Sequence, residues 1–286
     1  MRKHSRVCAY IDLNAILYNM ESMRRNISEK TKIIAVIKTD GYGHGAVEIA
    51  KELESLDYVY GYAVATVEEG MILRRNGMKK PILILGRTPV SAFHKAVKKD
   101  IRPTIFHYED ALALSDEAVA QGKTAKFHFA VDTGMGRIGF LPTDEAADIC
   151  AEIVKLPNIE AEGIFSHFAT ADCADLSRAK AQADKFNAFC GKLEQRGVQI
   201  PLYHMDNSAG LMNFDGHYGM VRSGIITYGM YPSGEVDPQL LAIRPALQWL
   251  SRVAHVKTLP AGCPISYGGT FVTTRETVVA TVPVGY

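Results

Sequence analysis

At 286 residues, with 47% apolar and 22% charged side chains, the chain has the make-up of a globular protein, long enough for one barrel-sized domain or a large domain plus a small one. Lys plus Arg (32) nearly balances Asp plus Glu (31), so no net field draws nucleic acid or a membrane surface. Five scattered cysteines without CxxC spacing read as reduced thiols in a cytoplasmic protein, and nine dispersed histidines give a metal site no support.

Taken in chain order, residues 1–11 read as an N-terminal strand that pairs with a later β domain. The start is basic, but Asp12 and Asn14 break the sequence before an apolar targeting segment forms, and no stretch reaches the roughly 20 apolar residues of a membrane helix. Short apolar, β-branched and aromatic runs then recur: "IIAVI" (33–37), "YVYGYAVA" (58–65), "PILILG" (81–86), "IRPTIF" (101–106), "KFHFAVD" (126–132), "IEAEGIFSHF" (159–168), "PLYHMD" (201–206) and "GMVRSGIITYG" (219–229). Between most of them lie segments with helical spacing, such as "GAVEIAKELESL" and "RAKAQADKFNAFCGKLEQRG". Eight near-continuous apolar strands alternating with amphipathic helices predict an α/β fold, a (β/α)8 TIM-type barrel over 12–232, rather than an open doubly wound sheet. From 233 the rhythm breaks at "YPSGEVDP", and Val, Thr and Gly dominate to the end, which reads as the start of a β-rich C-terminal domain, 233–286. Because the chain stops within the strand-like run before Tyr286, this β domain is expected to be incomplete and the chain truncated.

In a barrel of this kind the C-terminal strand ends face the active site. Those ends carry Lys38 with Tyr42, Asp132 with Arg137, His167, Asn207 with Ser208, and Arg222 with Gly224. Singly, each has an ordinary reading: Lys38 reaching to water, Asn207-Ser208 capping a helix, His167 satisfied in a core, Arg222 in a salt bridge. Together they converge on one mouth. The glycines of "GYGHGA" (41–46) also fit G-x-G-x-x-A, but "KTD" separates them from the strand and Asp40 would repel a pyrophosphate, which ranks a nicotinamide enzyme low. A lysine amine opposite phosphate-holding groups suits a Schiff base with a phosphorylated aldehyde cofactor, the phosphate lying on Ser208 and the backbone around Gly224 and Ile225.

The motifs "AVIKTDGYGHG", "VDTGMGRIGF", "SHFATAD", "DNSAG", "VRSGIITYGMYP" and "ISYGGTF" together resemble the bacterial alanine racemases, pyridoxal 5'-phosphate enzymes of fold type III, from about residue 7 to the end. The resemblance implies that Lys38 is the cofactor-bound lysine and one catalytic base. Tyr267 of "ISYGGTF" is implied as the second base, supplied across a homodimer interface. It further implies that Tyr42, Asn207, Ser208, Gly224 and Ile225 contact the cofactor phosphate. Arg222 would face the pyridine nitrogen, His167 would support Arg222, and Arg137 would lie near the substrate carboxylate. Racemisation removes the Cα proton from one face and returns one to the other, which is why two bases are needed.

The implied activity is interconversion of L- and D-alanine, a small-molecule amino acid substrate, supplying D-alanine for peptidoglycan. Two departures stand out. Many relatives carry a carbamylated lysine two residues before the Asp of "DTGMGR", where this chain has Ala130, so the brace on Arg137 is absent or comes from another group. Full relatives also continue into further β structure with a Met-Asp pair and another tyrosine, so weak or no racemase activity is expected of this chain. The rival readings are a serine or broad-specificity amino acid racemase, which shares every motif quoted, and a non-catalytic pyridoxal-phosphate carrier that ends with the barrel.

Overall fold

The computed structural model describes residues 6–285, so the first five residues of the expected N-terminal strand lie outside it. By internal contacts the chain forms two compact units, Leu13–Ala246 and a second that joins the N-terminal segment through Asp12 to Leu247 onward. Strand β1 (Val7–Ile11) belongs to the second unit.

The larger unit opens with helix α1 (Leu13–Asn26) and then lays down eight parallel strands: β2 (Lys32–Val36), β3 (Val59–Val64), β4 (Ile82–Arg87), β5 (Arg102–Ile105), β6 (Ala125–Ala130), β7 (Ile159–Phe165), β8 (Leu202–His204) and β9 (Met220–Ser223). They are ordered β8-β7-β6-β5-β4-β3-β2-β9. The Arg222 N–H donates to the Asp206 carbonyl at 2.9 Å, bringing β9 against the end of β8. This is the (β/α)8 barrel that the eight apolar runs predict.

The connecting helices are a single left-handed turn α2 (Lys38–Tyr42), then α3 (Ala46–Leu53), α4 (Val67–Arg75), α5 (Phe93–Lys98), α6 (Tyr108–Ala120), α7 (Asp144–Ile153), α8 (Ser177–Gln195) and α9 (Ser208–Asn213). Several start on the signals that local chemistry prefers: Thr66, Thr143 and Asn207 each accept a backbone N–H from the first turn. Their buried faces pack on the outer face of the sheet in two clusters, one around Phe127, Phe129, Phe186 and Phe189, the other around Ile16, Met20, Ile33 and Ile49.

Side chains alternate across a strand, so the residues between those core positions point into the barrel. One half of the interior is apolar, with Ile34, Val36, Ala63, Leu83 and Met220. The other half is polar, with Arg102, His128, Glu162, His204 and Arg222, all buried. Glu162 is brought inward by a bulge: Phe127 pairs with Ala161 but His128 with Gly163, leaving Glu162 as the extra residue.

Residues 233–246, where the sequence pattern predicts that the β domain begins, remain with the barrel unit. Val236, Leu241 and Ala246 are buried in its core, and Asn19 of α1 donates to the Thr227 and Arg244 carbonyls at 3.1 and 2.8 Å while accepting from the Arg244 N–H at 2.7 Å. The loss of helical spacing there marks a segment wrapped on the barrel.

In the second unit, β1 pairs antiparallel with β10 (Leu247–Ser251), and β11 (His255–Leu259) with β14 (Thr277–Thr281). The short β12 (Pro264–Ile265) and β13 (Phe271–Val272) form a third pair. Among the described residues no helix is long and apolar enough to cross a membrane.

Candidate active site

A cavity of about 590 Å³, well within the size range of small-ligand sites, opens at the C-terminal ends of the barrel strands. Lys38, Tyr42, Arg137 and His167 line it, as do Asn207, Ser208, Arg222, Gly224 and Ile225. Nine of the eleven residues singled out from the sequence therefore share one space, while Asp132 stands behind it in the loop that carries Arg137. Tyr267 lies in the second unit on a one-turn segment and is 90% exposed.

Lys38 leaves β2 through α2, whose Thr39, Asp40, Gly41 and Tyr42 all have positive φ (51°, 53°, 62° and 53°). A left-handed turn costs an L-residue roughly 1–2 kcal/mol per position, so it persists only where surrounding bonds over-determine it. Here Glu69 of α4 accepts from the Thr39 N–H at 2.8 Å and from the Ala65 N–H at 2.7 Å, and Asp40 accepts from the Ala46 N–H at 2.9 Å. Those bonds fix the direction of the Lys38 amine, which stands 5.9 Å from the centre of the Tyr42 ring. The Tyr42 ring lies against Tyr228, whose hydroxyl donates to the Val36 carbonyl at 2.8 Å. Burial pushes the Tyr42 phenol above its ordinary range, so it acts as a neutral donor.

On the opposite wall the Gly224 N–H donates to Ser208 Oγ at 3.0 Å, leaving the hydroxyl proton of Ser208 free to point outward. A Cβ at Gly224 would sit 3.3 Å from Ser208 Oγ and 3.6 Å from the Tyr42 hydroxyl, filling the space between them. The Asn207 side chain is engaged within the fold: its oxygen accepts from the Gly210 N–H at 3.0 Å and its nitrogen donates to the Phe168 carbonyl at 3.2 Å. Its side chain sets the loop.

Arg222 is 3% exposed and nearly encased. Nη1 donates to His204 Nδ1 (2.9 Å) and the His204 carbonyl (3.1 Å). Nη2 donates to the Ser166 carbonyl (2.7 Å), the Met205 carbonyl (2.8 Å) and His167 Nδ1 (3.1 Å). Both Nη groups are thus committed, and Nε–H is the guanidinium donor without an acceptor among the described residues. Burial draws the Arg222 pKa down to about 10, which leaves it charged at neutral pH. His167 is pulled down to about 3, first by burial and then by the positive charges of Arg222, Arg137 and Lys38. It is a neutral ring whose Nδ1 accepts, so its Nε2 carries the proton.

Arg137 sits on the loop after β6, shaped by Asp132, whose Oδ1 accepts from the N–H groups of Gly134 and Gly136, both at 3.0 Å. Arg137 makes no hydrogen bond or ion pair among the described residues, and Ala130, at the position where the sequence resemblance implies a bracing lysine, is buried in the barrel wall.

Sequence reasoning missed the residues behind these. Gln182 of α8 accepts from the Ala169 N–H at 2.9 Å and donates to the His167 carbonyl at 3.0 Å, pinning the loop that carries His167. His204 and His128 interrupt otherwise apolar strands, the one signal that could have flagged them.

The arrangement presents an amine, neutral hydroxyls, a guanidinium and several fixed N–H groups to one enclosed space, a set suited to a small anionic ring. Two family models match the chain: alanine racemase, N-terminal domain, over residues 11–232, and alanine racemase, C-terminal domain, over 246–286. An alanine racemase of Clostridium tetani is 45% identical over the whole chain, which spans 74% of that protein. The solved alanine racemase of Clostridium difficile 630 superposes with a TM-score of 0.96 at 41% identity, covering all of this chain and 75% of that one. A histidine racemase of Leuconostoc mesenteroides, 24% identical with a TM-score of 0.87, shares the fold across 99% of this chain and 75% of its own. With the barrel, its lysine-bearing mouth and these matches together, the chain belongs to the alanine racemase family.

Proposed function

We propose that this protein binds pyridoxal 5'-phosphate in the barrel mouth and interconverts L- and D-alanine with two bases, Lys38 on one face of the substrate and Tyr267 of a partner subunit on the other. The observation that carries the reading is the shared cavity of Lys38, Ser208, Gly224 and Arg222. Its groups fit that cofactor. The space kept open by the missing Cβ of Gly224, between the hydroxyls of Ser208 and Tyr42, suits a phosphate, and the uncommitted Arg222 Nε–H suits a ring nitrogen that stays unprotonated.

When bound, the cofactor supplies an aldehyde carbon that takes up an amine and a conjugated ring that makes the substrate Cα–H acidic. Lys38 Nζ, aimed by the strained turn, takes or returns the Cα proton on its side. Tyr267 Oη does so on the other. Arg222, donating and never accepting, withholds a proton from the ring nitrogen, which weakens the electron sink and limits side reactions such as transamination. Arg137, without a protein partner, is free to meet the substrate carboxylate. His167, neutral and fixed, supports Arg222. In cells this reading makes the protein a cytoplasmic homodimer that supplies D-alanine for peptidoglycan.

The test is to load the purified protein with pyridoxal phosphate, reduce it with borohydride and map the adduct by mass spectrometry, alongside a D-alanine formation assay. The reading expects the label on Lys38 and none in Lys38→Ala. Label retained at equal yield elsewhere in that variant would overturn it, and binding without turnover would favour the carrier role.

A further inference from the structure

Behind Arg222 a row of buried side chains crosses the barrel from its mouth toward the opposite rim. His204 Nε2 lies 2.9 Å from His128 Nδ1, and His128 Nε2 faces Glu162 Oε2 at 3.5 Å. Glu162 is held by Arg102 Nε at 3.0 Å and Lys126 Nζ at 3.1 Å. Tyr60 also borders this carboxylate.

We propose that His128 and Glu162 are positioning residues for Arg222, acting through His204: the four side chains form a one-way row of donors that locks both imidazoles in the Nε2–H tautomer. This function rests on the reading that Arg222 serves the cavity. The tautomers are dictated by the geometry alone. A guanidinium has no acceptor, so the 2.9 Å contact from Arg222 Nη1 requires a lone pair on His204 Nδ1. His204 is therefore neutral with its proton on Nε2. That proton points at His128 Nδ1, which must also be a lone pair, so His128 carries its proton on Nε2 and presents it to the Glu162 carboxylate. At 3.5 Å this last link is long for a hydrogen bond, and it acts chiefly as an N–H dipole facing a negative charge.

Three features hold the row in register. The bulge in β7 aims Glu162 inward. Gly163 leaves room for the His128 ring, since a Cβ there would lie 2.5 Å from it. Phe165 stacks on His204 with ring centres 5.0 Å apart. Reversing either tautomer would set an N–H against an N–H and cost Arg222 Nη1 the ring nitrogen, leaving it the His204 carbonyl alone. The hold on the guanidinium that lines the cavity would then be weaker.

The decisive experiment is 15N NMR of the histidine-labelled 286-residue chain without cofactor. His204 and His128 are each expected to show a protonated Nε2 and an unprotonated Nδ1, with no titration between pH 5.5 and 8. A protonated Nδ1 on either ring, or formation of imidazolium in that range, overturns the proposal whether or not any variant folds. In His128→Leu the His204 nitrogen signals are expected to shift, and the dissociation constant for pyridoxal phosphate to rise roughly tenfold, the scale of a small misplacement. A folded His128→Leu with unmoved His204 signals and unchanged cofactor affinity and absorbance would reduce the row to packing. Should the protein not bind the cofactor at all, the proposed function fails while the tautomer pattern still stands or falls by itself.

Discussion

Glu162 and Arg102 form an ion pair inside the barrel, Nε to Oε2 at 3.0 Å, with each side chain only 8% exposed. Charges this deeply placed are costly to separate, because the survivor keeps its desolvation penalty without its partner. Glu162→Gln is accordingly expected to destabilise the fold by about 3–5 kcal/mol, measurable by urea denaturation at pH 7. A loss under about 1 kcal/mol would mean that Lys126 or water compensates.

Acid sensitivity should come partly from histidine. His167, His128 and His204 are all held below the ordinary histidine range by burial, so the native state keeps them neutral while the unfolded chain protonates them. The unfolded state then binds more protons below its pKa of about 6.5, and stability falls as pH falls from there toward the folded values. For His167, drawn down to about 3, the linkage at pH 5 is worth about 2 kcal/mol, and His128 and His204 add to it in the same direction. Glu162, held well below the carboxylate range by His128 and Arg102 against its own burial, adds a loss that begins lower, near pH 4. Stability curves from pH 8 to 4 that stay flat until the carboxylate range would contradict the histidine contribution.

Gly224→Ala should act on binding. The new methyl would press on Ser208 Oγ at 3.3 Å and occupy the gap beside the Tyr42 hydroxyl. Pyridoxal phosphate affinity is expected to fall by roughly tenfold or more while the melting temperature moves by only a few degrees. Fluorescence titration with the cofactor, beside a thermal melt, separates the two effects.

Asn19→Ala should instead be a stability variant. The side chain makes three hydrogen bonds that tie α1 to the segment ending at Arg244, and truncation leaves the Arg244 N–H and two carbonyls short of partners. About 2–4 kcal/mol is expected to be lost, with cofactor binding unchanged in the folded fraction.

The eight barrel strands were legible because parallel strands covered on both faces read as apolar runs. The convergence of the candidate residues was legible because the barrel gathers strand ends, so Lys38, His167 and Arg222 line one cavity despite their separation in sequence. Three things were hidden. Helix α6 carries no obvious break between "IRPTIF" and "KFHFAVD", and its mixed "YEDALALSDEAVA" reads weakly. Glu162 and Arg102 are 60 residues apart and sit in strands where a charge would ordinarily face water, and the bulge that turns Glu162 inward leaves no mark in the sequence. Finally, 233–246 looks like a change of domain because it lacks helical spacing, whereas a few buried apolar side chains suffice to bind it to the barrel.

The turn that carries Lys38 winds in the mirror sense to the right-handed helices around it. No ordinary coil of L-residues can replace it without swinging the side chain to another bearing, and adding or deleting one residue would shift the backbone by about 3.8 Å. Change by insertion is therefore closed to this stretch, and any drift in its sequence must proceed by replacement of one side chain for another at constant length.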